Sequence, residues 1–269
     1  MKSPKKGKKG QSSEKSLSQL LDRSREGDAS VRVAALEALA KIDHPCVLDI
    51  MIRALSDNNP TVRVTAVESL GTLNYKQSVP KLIDRLADSN SEVRMRAVES
   101  LGMLLSGGTS PSALIKRLQD TDRLVKVTAA EALGAVGDQK ALPALRKALR
   151  DPSPLVRSYV SESIGRLGGK REIVGLETAL EKEKSETAKI GFYYGLYLLG
   201  QHAMLQELLK LLQSTNYRVR CATANTLSQI LGDESERELI LRSLRKALRH
   251  EPTVAARSSM RSSLRRLSK

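Results

Sequence analysis

Tryptophan is absent from this sequence, phenylalanine occurs once, at Phe192, and the aromatic content is 3%. Histidine is nearly as scarce. His44, His202 and His250 stand far apart, with no CxxC or HxxxH spacing anywhere. A metal centre needs several ligands converging on one point, so no metal site is expected and no catalytic residue emerges. Cys46 and Cys221 are the two cysteines. Their separation predicts free thiols and a reducing compartment. No apolar run approaches the roughly 20 residues that span a bilayer. The residues after Met1-Lys2-Ser3-Pro4 contain no apolar core of the kind a secretory signal needs. A soluble, cytoplasmic protein is the expectation. Gly107-Gly108 and Gly168-Gly169 lack the context of a phosphate cradle and read as loop breakers.

What the chain does have is positive charge, and most of it sits at the two ends. The formal net charge is +15. Residues 1–16 hold six Lys and one Glu, including Lys5, Lys6, Lys8 and Lys9. Residues 237–269 hold ten Lys or Arg and two Glu, so the body between is nearly neutral. The first 16 residues show no apolar periodicity and read as a disordered basic tail.

The body repeats. Asp57-Asn58-Asn59-Pro60-Thr61-Val62-Arg63, followed by Ala66 and by Glu68-Ser69-Leu70-Gly71, has near-copies from Asp88, Asp120 and Asp151. The basic residue of this motif falls at 32, 63, 94, 126, 157, 189 and 220, at intervals of 31 or 32. Such a period marks stacked supersecondary units. Each unit reads as two amphipathic helices, A and B. Val47, Leu48, Met51, Ile52 and Leu55 make an A stripe, and Val62, Ala66, Ser69, Leu70 and Leu73 make a B stripe. Pro80 and Pro143 fit the first turn of A helices, where a missing N–H costs little. Gly71, Gly102, Gly134, Gly165 and Gly200 read as stops at the ends of B helices. Ala35, Ala66, Ala97 and Ala129 allow close helix approach, and Val160 at the same place predicts a slightly wider spacing.

The motif Asp57-x-x-Pro60-x-Val62-Arg63-x-x-Ala66-x-x-Ser69-Leu70-Gly71 resembles the HEAT-repeat superfamily, most nearly its short bacterial phycobilin-lyase-type (PBS lyase) HEAT-like repeats. The resemblance covers 17–269 and implies an all-α fold, a right-handed α-solenoid of about eight antiparallel helix pairs. The units are 17–45, 46–76, 77–107, 108–138, 139–169, 170–201, 202–233 and 234–269. The last is a divergent basic cap, with Val254 aligned to Val219 and no basic residue directly after it. The family's repeated acid and base form a ladder between adjacent units. The acids here stand six residues before the bases, as in Asp57/Arg63 and Asp88/Arg94. The arginines are therefore expected to be occupied by carboxylates and helix ends and not free to bind phosphate.

On a helical wheel with the motif valine at 0, positions 0, 4, 7, 8 and 11 face the core, and 2, 6 and 9 face away. Position 6 carries Glu37, Glu68, Glu99, Glu131 and Glu162 beside a mostly aliphatic row at position 2. The resemblance places B helices on the concave face, which would then be an acidic, partly apolar groove for a basic amphipathic segment and a poor nucleic-acid site. Gly191-Phe192-Tyr193-Tyr194-Gly195-Leu196-Tyr197 interrupts the row. Its wheel puts Phe192 inside and Tyr193, Tyr194 and Tyr197 on or beside the exposed face, flanked by Glu162, Arg166, Asn225 and Gln229. Exposed tyrosines favour interfaces.

The function expected is therefore a non-catalytic protein-interaction scaffold without cofactor, its partner held on the concave face. A first alternative is nucleic-acid or anionic-surface binding through the tail lysines and through Arg242, Arg245, Lys246, Arg249, Arg261, Arg265 and Arg266. A second, implied by the repeat resemblance, is a bilin lyase or chaperone with a tetrapyrrole pocket at the tyrosines. Iron-binding HEAT-like enzymes carry repeated His-Glu pairs, and here only His250-Glu251 is adjacent. HEAT-like DNA glycosylases use Trp, which is missing.

Overall fold

A computed structural model describes residues 17–105 and 111–268. The lysine-rich segment with Lys5, Lys6, Lys8 and Lys9, and the Gly107-Gly108 pair, lie outside the described residues. Among those residues all regular structure is helical. Eight A/B pairs follow in order: α1 (17–23) and α2 (Ala29–Leu39), α3 (Cys46–Ala54) and α4 (Pro60–Thr72), α5 (Val79–Arg85) and α6 (Ser91–Leu104), α7 (Ser112–Arg117) and α8 (Arg123–Val136), α9 (Leu142–Ala148) and α10 (Pro154–Leu167), α11 (Ile173–Glu181) and α12 (Glu186–Leu198), α13 (Met204–Lys210) and α14 (Tyr217–Leu227), α15 (Glu234–His250) and α16 (Val254–Leu267). No helix among them is long and apolar enough to cross a membrane. Cys46 and Cys221 are free thiols.

The chain divides into two compact units, Met1–Ala132 and Leu133–Lys269. In the first, α4 starts at Pro60 because Asn59 accepts a hydrogen bond from the Thr61 N–H at 2.8 Å, and proline at the first position has no N–H to satisfy. Asn90 caps α6 in the same manner. The core is built from Leu36, Val62, Ala66, Val67, Leu70, Val93, Ala97, Val98 and Leu101, all essentially inaccessible. Val67 and Val98 occupy position 5, which the wheel left outside the core. They are buried because the next B helix covers that flank.

The B-helix glycines do not stop their helices. Gly71, Gly102, Gly134 and Gly165 lie inside α4, α6, α8 and α10, and none has a positive φ. They sit instead where one B helix crosses the next. A Cβ on Gly71 would stand 2.5 Å from the Ser100 hydroxyl, and one on Gly102 would stand 3.0 Å from the Ala132 Cβ. Position 9 of each B helix therefore meets position 7 of the following one, and it faces a neighbour, not solvent. Gly200 alone of the five follows its helix with φ +96°, as a stop should.

In the second unit this crossing becomes tighter. A Cβ on Gly165 would lie 2.5 Å from the Gly195 Cα, and a Cβ on Gly191 would collide with the Ser158 backbone carbonyl. Glycines at three levels bring α10 and α12 into direct backbone contact. The wider spacing expected from Val160 does not occur, because Gly165, Gly191 and Gly195 set the approach.

Candidate functional site

The ladder forms, and each arginine has two jobs. Arg63 donates from Nη1 to the Asp57 carbonyl of its own loop at 2.9 Å. From Nε and Nη2 it also grips the Asp88 carboxylate of the following loop at 2.8 and 2.7 Å. Arg32 grips Asp57 and Arg94 grips Asp120 with the same fork. In the second unit Arg157 holds Glu183 and Arg220 holds Glu251. The acid also accepts from the backbone N–H two residues on, as Asp88 does from Asn90. One carboxylate thus closes its own loop and receives the preceding arginine. Burial alone would raise the acids' pKa values. The arginine fork and the backbone N–H outweigh it, holding Asp57, Asp88, Asp120 and Glu183 below the usual carboxylate range. Where Ser214 replaces the acid, it donates instead to Glu186 at 2.6 Å.

Glu251 is the acid of the last loop, and this resets the register of the final repeat. Arg257 donates to the Glu251 carbonyl six residues back, as Arg63 does to Asp57. The Ser263 hydroxyl donates to the Ala224 carbonyl, as Ser100 does to Val67. Ala256-Arg257 is therefore the Val-Arg pair of the last helix, and aligning Val254 with Val219 was two residues out. Val254 is 73% exposed, whereas Ala256 and Met260 are buried completely.

The acidic row is accessible in part. Glu37 and Glu131 are exposed, and Glu68 and Glu99 are half-buried. Arg96 lies 2.9 Å from both Glu68 and Glu99, so one guanidinium serves two acids. Val33, Val64 and Met95 run beside them half-buried. This aliphatic row does not continue on the surface, because Val127, Ser158 and Ile190 are buried.

The tyrosines are a correction. Tyr194 is 2% exposed and Tyr197 7%, within one apolar cluster with Leu205, Leu208, Ile230 and Ile240, and half-buried Tyr193 packs against it. The glycine flank of α12 faces α10, so its large side chains fill the opposite flank, which later helices cover. Above Tyr194, Arg166 lies with its guanidinium carbon 5.8 Å from the ring centre. It donates to Glu162 at 2.7 Å and to Gln229 at 3.0 Å. The expected flanking residues do gather here, except that Asn225 only lies exposed nearby in sequence, and they roof a buried ring. Tyr197 donates to Glu236 at 2.7 Å, and His202 Nδ1 lies 2.9 Å from the other oxygen of that carboxylate. Burial, then the hydrogen bond to Glu236 and its charge, raises the Tyr197 phenol. Tyr197→Phe should cost about 1.5 kcal/mol, the worth of a hydrogen bond to a charged acceptor, in urea unfolding. A loss below a few tenths would show that this bond contributes nothing.

The basic candidates Arg242, Arg245, Lys246, Arg249, Arg261, Arg265 and Arg266 are all exposed on α15 and α16. Among the described residues, no group of three or more His, Cys, Asp or Glu could hold a metal ion.

Matches to the family description HEAT repeats extend over residues 15–102 and 111–196, and a further HEAT repeat matches 204–232. Together these cover more than half the sequence, and the chain belongs to the HEAT-repeat family. No curated protein matches the sequence. Among solved structures, it is similar to the CpcE–CpcF complex of phycocyanin lyase from Nostoc sp. PCC7120, at 21% identity and TM-score 0.59, over 84% of this chain and 97% of that one. It is also similar to Kap95 in its complex with Nup1, at 14% identity and TM-score 0.63, over 98% of this chain and 42% of that one. Likeness at these identities is likeness of fold, the α-solenoid of stacked helix pairs.

Proposed function

We propose that the protein is a non-catalytic scaffold that holds a basic, amphipathic segment of a protein partner against the B helices of the first unit. The observation that carries this reading is the accessible row Glu37, Glu68, Glu99 and Glu131, opposed by Arg96 and lined by half-buried Val33, Val64 and Met95. Acids at the repeat spacing select lysine or arginine on the partner, and the aliphatic row offers a narrow apolar strip. The ladder arginines take no part, since carboxylates occupy them. Bilin chemistry is set aside, because the rings meant to line a tetrapyrrole pocket are packed in a core. Kap95, similar in fold, is seen in complex with another protein, which is consistent with scaffolding.

The test uses a labelled synthetic helical peptide with lysines on one face and leucines on the other. Glu68→Lys with Glu99→Lys should weaken its binding by about tenfold or more, and added salt should weaken wild-type binding likewise. Binding of equal strength by the double variant would remove this face as the site.

A further inference from the structure

In five repeats of the ladder, the arginine fork is filled by the carboxylate of the repeat that follows: Arg32 by Asp57, Arg63 by Asp88, Arg94 by Asp120, Arg157 by Glu183 and Arg220 by Glu251. Arg257 occupies the same position in α16, and among the described residues no carboxylate fills its fork. Its Nη1 makes the usual bond to its own loop, to the Glu251 carbonyl at 3.4 Å. The rest of its fork is presented on the outer flank of α16.

The remaining residues on that flank also stand where a following repeat would pack. Arg261 is at position 5, where Leu36, Val67, Val98 and Ala224 are buried under the next B helix. Leu264 is at position 8, the place of buried Leu70 and Leu101, yet it is only half-buried. With Val254, Ser258 and Arg265 these residues line an open trough of about 760 Å³. A flank that only needed solubility would carry polar side chains at these positions. This one keeps two apolar side chains among arginines spaced four residues apart along one helical face.

We infer that this C-terminal flank is a docking surface for an acidic, amphipathic helical segment of another protein, one of whose carboxylates seats on Arg257 as Asp88 seats on Arg63. Continuity with the repeated interface supplies the geometry, and Arg257, Arg261 and Arg265 supply the charge complementarity. A second copy of the chain fits poorly, because both of its ends are basic. Nucleic acid fits less well than protein, since residues 234–269 contain no Phe, Tyr or Trp on which bases could stack in succession. This surface is separate from the acidic B-helix row and asks for a partner of opposite charge.

The experiment titrates the full-length protein into a labelled synthetic peptide of about 20 residues, long enough to hold a helix, with Leu on one face and Glu on the other and an Asp-Ser-Asn lead. Wild type should bind, Arg257→Ala and Arg257→Lys should each bind about tenfold more weakly, and Arg261→Glu more weakly still. The lysine variant keeps the charge and loses the fork, and exposed Arg261 can be changed without touching the core. Unaltered melting by circular dichroism accompanies each variant. The inference is overturned if Arg257→Lys binds like wild type, or if the peptide does not bind. It is equally overturned if an oligothymidylate or phosphatidylserine vesicles bind through these arginines more tightly than the peptide. Concentration-dependent self-association abolished by Arg257→Ala would also overturn it, by identifying a second copy as the occupant. Loss of the acidic peptide with retention of the lysine-rich one would separate this surface from the acidic row.

Discussion

Gly191→Ala is expected to destabilise the second unit by about 3 kcal/mol or more, the upper range for forcing volume into a packed interior. The added methyl would collide with the Ser158 carbonyl, and backbone on both sides leaves no side chain able to move aside. Gly165→Ala meets the Gly195 backbone and should behave alike. The contrast lies at Gly175 in α11, where an added Cβ would have no atom within 4 Å. There alanine removes only glycine's excess chain entropy and should be neutral or stabilising by roughly 0.5 kcal/mol. Urea unfolding followed by circular dichroism measures all three. Equal midpoints for Gly191→Ala and wild type would mean that α10 and α12 are not in backbone contact.

Breaking the Arg220–Glu251 pair should have the next largest effect. The two side chains are 11% and 2% exposed, and Glu251 also accepts from the Thr253 N–H. Arg220→Ala leaves a buried carboxylate without its partner, at an expected cost of about 3–5 kcal/mol. The same pair sets a pH dependence. The Arg220 hydrogen bonds, partly opposed by burial, bring the Glu251 pKa down to about 2 from its ordinary 4.5. A depressed pKa means that the folded state prefers the ionised acid. This stabilisation is full above the ordinary value and is lost as pH falls from about 4.5 through about 2, amounting to about 3 kcal/mol. Glu251→Gln should be less stable than wild type at pH 7, and its midpoint should fall less steeply across that acid window. Parallel pH profiles for the two proteins would show that the pair does not hold the final repeat.

Both predictions bear on function. The Gly191 crossing buries Tyr194 and Tyr197, and the Arg220–Glu251 pair fixes α16 and so places Arg257 on the surface. The docking reading rests on a ladder filled at Arg32, Arg63, Arg94, Arg157 and Arg220 and, among the described residues, unfilled at Arg257.

The sequence alone determined the period, the helix pairs and the ladder. Those features are local or repeated: a 3.6-residue apolar rhythm, Asn59 before Pro60, and an acid and a base recurring at a constant interval. What it left undetermined was which flanks of a helix become covered. A wheel ranks the faces of one helix, but burial at positions 5, 6 and 9 depends on how near the neighbouring helices come. That distance was set by Gly191 meeting Ser158, Gly195 meeting Ser161 and Gly165 meeting Gly195, and it put Tyr194 inside. The last repeat was misaligned for a related reason, since Val254 suits the pattern better than Ala256. Only the Arg257 bond to Glu251 and the Ser263 bond to Ala224 show the register, because contacts between distant residues, not side-chain type, decide how α16 seats.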